Sequence, residues 1–159
     1  MATWHWVKIT FINPEQTTLP QNAAEILTDG KRGSCDFTFN WLVVSGGKDL
    51  EVVIDLEEEK MVRRMSSSYF QYGFWLRLFP RQVEYLISRD GITYERVGAV
   101  DNTLPIDQYG GQQRDFIVEC KPQKARFVKM IAHSIGNTPD WHPGSGRPAN
   151  MLIDEIVVE

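Results

Sequence analysis

Apolar residues recur at every second position in short stretches along this chain, and no window of a dozen residues repeats them at i, i+3, i+4 and i+7. The clearest stretch is Leu50-Glu51-Val52-Val53-Ile54-Asp55-Leu56, with Leu50, Val52, Ile54 and Leu56 on one face and Glu51 and Asp55 on the other. The same pattern predicts strands over His5–Phe11, Val62–Phe70, Val83–Ser88, Thr93–Val97, Asp115–Cys120, Arg126–His133 and Met151–Val158. Turn pairs fall between them at Gly46-Gly47, Asp90-Gly91, Gly110-Gly111 and Pro143-Gly144. Asp90-Gly91 predicts a hairpin closed by a two-residue type I′ turn, which needs positive φ at both central residues. Asn22 to Ile26 has room for one helical turn, and Glu57-Glu58-Glu59-Lys60, following a strand, reads as a solvated turn. Many short strands with closely spaced turns predict an all-β protein, an antiparallel β-sandwich.

The 159 residues suit one domain with its own core. Lys plus Arg number 17 against 21 Asp plus Glu, a net charge of −4 with no basic run, which argues against nucleic acid as a partner. No apolar run approaches the roughly 18 residues of a membrane-spanning helix, so membrane insertion is not expected. Cys35 and Cys120 could pair if the fold brings them together, but two free thiols are the favoured reading, since Cys120 ends an apolar strand pattern. Met1-Ala2-Thr3-Trp4 has neither a basic nor an apolar leader region. Either the protein is cytoplasmic, or this is a domain whose parent carried the signal.

The chain offers no recognisable catalytic constellation. His5, His133 and His142 do not form an H-E-x-x-H motif, and no serine stands in G-x-S-x-G. Asp154 and Glu155 are adjacent in a predicted strand, so they are expected on opposite faces.

Two groups of residues point instead to binding. Asp154 and Glu155 interrupt a run that is otherwise apolar on both faces, so at least one carboxylate should be covered and require an Arg, a Lys or a cation. The polar loop Thr28-Asp29-Gly30-Lys31-Arg32-Gly33-Ser34 carries hard oxygen ligands of the type Ca²⁺ takes, although a capped turn would read the same way. In Pro139-Asp140-Trp141-His142-Pro143-Gly144-Ser145-Gly146-Arg147-Pro148 a Trp, a His and an Arg share a loop with no packing period. A flat aromatic beside hydrogen-bonding groups suits a sugar, which has an apolar face and a polar rim. Either Trp141 is displayed there, or it folds back to plug the end of the sandwich. In Tyr69-Phe70-Gln71-Tyr72-Gly73-Phe74-Trp75, Tyr72 and Trp75, on either side of Gly73, are expected on display, and Trp41 is expected in the core.

The succession Leu27-Thr28-Asp29-Gly30, Asp49 to Leu56, Ser88-Arg89-Asp90-Gly91, Ala125-Arg126-Phe127-Val128 and Asp154-Glu155-Ile156 resembles the discoidin, or coagulation factor V/VIII type C, family, to which family 32 carbohydrate-binding modules belong. Pro139-Asp140-Trp141-His142, Pro143-Gly144-Ser145-Gly146 and Asp154 to Val158 resemble in particular the C-terminal domain of Bacteroides β-hexosaminidases and chitobiases, with Ala149-Asn150 where those usually read Ala-Trp.

The resemblance implies a galactose-binding-like jelly roll spanning residues 1–159, excised from the C-terminus of a larger glycosidase. It implies a structural Ca²⁺ held by Asp29, Ser34 and Glu155 and the carbonyls of Ile26, Lys31 and Asp154, with Ser34 where Thr is usual. It implies a non-catalytic domain whose partners are a glycan containing N-acetylhexosamine or galactose and the parent's catalytic domain, in a periplasmic, outer-membrane-associated or secreted protein. The alternative is an accessory domain that only packs against the catalytic domain. The expected ligand residues are Tyr72, Trp75, Trp141, His142 and Arg147, with Trp141 stacking on the sugar and His142 and Arg147 bonding its hydroxyls.

Overall fold

Leu50, Val52, Ile54 and Leu56 all lie in the hydrophobic core, as their alternation requires, and the strand they begin does not stop at Leu56. The computed structural model describes residues 7–12, 19–36, 38–105 and 110–159. Its elements are β1 (Lys8–Phe11), α1 (Ala23–Ile26), β2 (Leu42–Val44), β3 (Leu50–Tyr72), β4 (Gln82–Ser88), β5 (Glu95–Asp101), β6 (Gly111–His133) and β7 (Met151–Val158). His5 and Trp6, at the start of the first predicted strand, lie outside the described residues.

Strands β3 and β6 pair antiparallel from Leu50↔Ala132 to Tyr72↔Gly111 as one long ribbon. Its first half carries β1 on one side and β4, then β5, on the other; its second half carries β7 and then β2. The ribbon folds so that the halves face each other. Tyr69, on the second half, places its hydroxyl 3.6 Å from Met130 Sδ on the first. Ser67 Oγ lies 2.7 Å from the Tyr85 hydroxyl of β4, which donates across to the Phe116 carbonyl of β6. The product is an antiparallel β-sandwich whose core runs from Val52 and Val83 to Phe116 and Met151.

Three local expectations need correction. Glu57 to Lys60 is not a turn but a bulge inside β3, where the register shifts between Asp55 and Lys60 and Glu57 takes φ +68°. The extra residues bend the ribbon at the corner of the sandwich. There Asp55 accepts from the Glu57 N–H and is gripped by two of the Arg126 guanidinium nitrogens. The β4–β5 hairpin exists, but its loop runs from 89 to 94, and of its two central residues only Gly91 has positive φ. The Asp90 carboxylate accepts the N–H groups of Ile92 and Thr93, a local capping that competes with the type I′ geometry.

The third correction concerns β7. Met151, Ile153, Ile156 and Val158 point into the core, and Asp154 has no partner because β3 pairs Ser68 with Glu155 and then Tyr69 with Ile153. This bulge turns Asp154 and Glu155 to the same, outer face instead of opposite ones.

That outer face is roofed by residues 27–36 and 38–41. Trp41, buried as expected, packs on Phe70 and Leu152, and its indole N–H donates to the Ser34 carbonyl. Gly33 lies beneath the indole, where an added Cβ would sit only 2.1 Å from the ring. Gly33→Ala is therefore expected to lower stability by about 1–3 kcal/mol through overpacking, measurable by urea denaturation. Cys35 is exposed and Cys120 half-buried, and both are free thiols.

Candidate functional site

Beyond Tyr72 the chain makes a tight turn, Gly73–Trp75, ending at Leu76 with φ +62°. The Tyr72 N–H donates to the Arg77 carbonyl and closes the turn, and Arg77 bridges to Asn150. Left-handed backbone at a leucine costs about 1–2 kcal/mol, so this turn is held by its surroundings. The holding group is His142. Its Nδ1 accepts the Gly144 N–H at 2.8 Å, which leaves the proton on Nε2 to donate to the Gly73 carbonyl at 2.6 Å. The imidazole is 3% exposed and ties the turn to the 136–150 loop.

That loop has no packing period because its order comes from its own polar groups. The Thr138 N–H donates to the Arg147 carbonyl, the Gly146 N–H to the Thr138 carbonyl, and the Thr138 hydroxyl to the carbonyls of Gly144 and Arg147. Gly144 is required by close approach: a Cβ there would stand 2.5 Å from Leu76 Cδ2.

Between turn and loop lies an open cleft of about 400 Å³, lined by Phe74, Trp75, Leu76, His142, Pro143, Gly144, Arg147 and Asn150. Phe74 and Trp75, 57% and 56% exposed, meet edge to face with ring centroids 5.4 Å apart. Trp141, 48% exposed, is no plug; it stands edge to face against the His142 ring, beside the cleft and not among its lining residues. Arg147 is exposed at the mouth.

Of the expected ligand residues, the structure thus brings Trp75, His142 and Arg147 to one cleft. Tyr72 is placed otherwise: it packs with Trp41, Phe70 and Leu152 on the outer sheet face, because β3 continues through it and alternation turns it with Phe70. His142 also differs in role, since both ring nitrogens are engaged by backbone and neither is free for a sugar hydroxyl. Phe74 and Asn150 were not singled out from the sequence. The Phe74-Trp75 doublet after a glycine at a strand end was the available signal for the first.

The acidic residues gather around the 29–34 loop. Glu155 Oε2 accepts the Gly30 N–H at 3.0 Å, and Asp154 Oδ2 accepts the N–H of Gly33 at 2.7 Å and the Gln113 amide at 3.0 Å. Asp29 Oδ1 accepts the Lys31 N–H, and the Lys31 carbonyl accepts from Asn40. Burial pushes the Glu155 carboxyl up to about 8, against the Gly30 hydrogen bond and with help from the charges of Asp29 and Asp154. Burial likewise raises Asp154, whose Oδ1 is buried without a hydrogen-bond partner among the described residues.

A buried carboxylate oxygen lacking a donor fits a cation, and so does the excess negative charge beside it. Ser34 does not join this set as placed. Its hydroxyl donates to Asp36, and its carbonyl accepts from Trp41. Ile26 keeps its side chain in the core, and among the described residues no three His, Cys, Asp or Glu side chains cluster at metal-holding range.

No family model and no curated protein matches this sequence. Solved structures do. A carbohydrate-binding module, GH31 CBM32-2 bound to GalNAc, is similar with a TM-score of 0.62 and 11% identity over 96% of this chain and 95% of that one. The Clostridium perfringens module CpGH89CBM32-5, in complex with GalNAc-β-1,3-galactose, gives 0.57 and 14% over 96% and 94%. A Streptococcus pneumoniae fucose-binding module, SpX-3, gives 0.58 and 9% over 100% and 98%. At these identities the likeness establishes the fold: the chain has the galactose-binding-like β-sandwich of family 32 modules.

Proposed function

We propose that the protein is a non-catalytic carbohydrate-binding domain that takes a glycan in the cleft between the Gly73–Leu76 turn and the 136–150 loop. The observation that carries this reading is the pair of exposed aromatics, Phe74 and Trp75, beside side chains able to hydrogen-bond a polar rim, Arg147 and Asn150. A second cleft of about 450 Å³, near Arg89 and Lys124, is lined by no aromatic ring among the described residues, and both cations face Glu59. The similar modules whose bound sugars are named lend further support.

The finer reading is an accessory domain of a secreted or periplasmic β-N-acetylhexosaminidase of the chitobiase type, resting on the sequence resemblance of residues 139–146 and 154–158. The domain would hold its catalytic partner near N-acetylhexosamine- or galactose-containing glycans and so raise the local substrate concentration. A structural Ca²⁺ belongs to the same proposal. Asp29 and Glu155 would hold it with the carbonyls of Ile26, Lys31 and Asp154 and the Ser34 hydroxyl, the last released from Asp36. When bound, the ion would neutralise the covered carboxylates and fasten the 29–34 loop to β7.

The test is titration of the chain with an array of glycans, repeated on Trp75→Ala and Trp141→Ala. Trp75→Ala is expected to abolish binding and Trp141→Ala to weaken it, each with a stability loss below about 1 kcal/mol because the rings are half exposed. Flat titrations of the unaltered chain would reject the carbohydrate reading in favour of a domain that only packs against its parent.

A further inference from the structure

The proposed glycan cleft is supplied with free side-chain donors, while most of the carbonyls around it are already engaged. The Gly73 carbonyl already accepts from His142 Nε2 and the Leu76 N–H, and the Leu76 carbonyl accepts from the Asn150 N–H. The Gly144 carbonyl accepts from Thr138 and Arg147, the His142 carbonyl from Ser145, and the Asn150 carbonyl from Leu78. His142 Nδ1 is occupied by the Gly144 N–H. On the donor side, the Arg147 guanidinium makes no ion pair or hydrogen bond among the described residues, and the Trp75 indole N–H is equally free. The Asn150 carboxamide, also free, adds one acceptor oxygen along with its two donors. In a chain with 21 acidic side chains, none of the described residues lining this cleft is acidic.

A neutral sugar presents hydroxyls, each of which donates as well as accepts, and a site built for them needs acceptors to take their protons. A carboxylate only accepts. Its two oxygens match the planar fork of a guanidinium, and such bidentate, charge-assisted bonds are about twice as strong as neutral ones. We propose that the cleft recognises an anionic sugar unit, with Arg147 clamping a carboxylate of an acidic glycan while Trp75 covers the ring. This inference rests on the carbohydrate reading of the same cleft. A polymer alternating N-acetylhexosamine with a uronate satisfies both.

The experiment is calorimetric titration of the chain with hyaluronan tetrasaccharide, the same tetrasaccharide with its carboxyls reduced to alcohols, a reduced but sulfated counterpart, and chitotetraose. The acidic tetrasaccharide is expected to bind about tenfold or more tightly than its reduced form. That preference should shrink as salt rises, because Arg147 is exposed. Arg147→Met should erase the preference, and Arg147→Lys, which keeps the charge but not the fork, should restore only part of it. Preference for the sulfated form over the carboxylate would overturn the carboxylate assignment and move the anion to sulfate. Equal binding of acidic, reduced and neutral forms would overturn the proposal and leave the carbohydrate reading standing. No binding of any of them, nor of the wider glycan array, would remove both.

Discussion

Replacing His142 with alanine is expected to abolish glycan binding and to cost about 3–5 kcal/mol of stability, although its imidazole presents no free nitrogen to a ligand. Removal of the ring leaves the Gly144 N–H without an acceptor and takes the short bond from the Gly73 carbonyl, and an orphaned buried group costs about 1–3 kcal/mol. The cavity left by the ring adds to this. The Leu76 backbone, left-handed without glycine, then loses what holds it, and the Phe74-Trp75 display goes with it. Urea denaturation and sugar titration of the same variant supply the two readouts. His142→Asn can still accept from Gly144 and is expected to recover part of the stability. A His142→Ala variant of unaltered stability that still lost binding would mean that the imidazole contacts sugar directly.

The second large effect is expected from calcium. At a free concentration a thousand times Kd, an ion bound only by the folded state stabilises it by about 4 kcal/mol. For a domain of this size that is about 8–16 °C in melting temperature. A chelator should lower the melting temperature by that order, and added calcium should restore it. Asp154→Asn separates the ion from the carboxylate. The amide oxygen still accepts from Gly33 and Gln113, and the buried charge disappears. In chelator this variant should therefore be at least as stable as the unaltered protein, while losing the part of the calcium response that comes from neutralising this carboxylate. An identical melting curve with and without chelator, together with no calcium by elemental analysis, would remove the ion from the proposal.

Much of the architecture was legible because a period of two is a local property. Met151–Val158 was read with its true limits, Ala23–Ile26 was anticipated as one helical turn, and Leu50, Val52, Ile54 and Leu56 identified their own buried face. Four predicted strands proved to be halves of β3 and β6, since exposed polar residues at a corner look the same in sequence whether the chain ends a strand or bends within one. The acidic pair was read to opposite faces because alternation was assumed to be unbroken. Only the partner strand, pairing Ser68 with Glu155 and Tyr69 with Ile153, reveals the bulge that sets both carboxylates against the 29–34 loop.

The candidate cleft divides in the same way. Composition and spacing alone named Trp75, His142 and Arg147, which now line one cleft, as candidates and predicted a sandwich. The tertiary structure decided their roles. It buried His142 as the tie between two loops, carried Tyr72 to the opposite cluster, and brought Phe74 and Asn150 to the lining. The physical reason is that periodicity is written in neighbouring residues, whereas a cleft is formed where segments some seventy residues apart exchange hydrogen bonds, and no local pattern records which nitrogen meets which carbonyl.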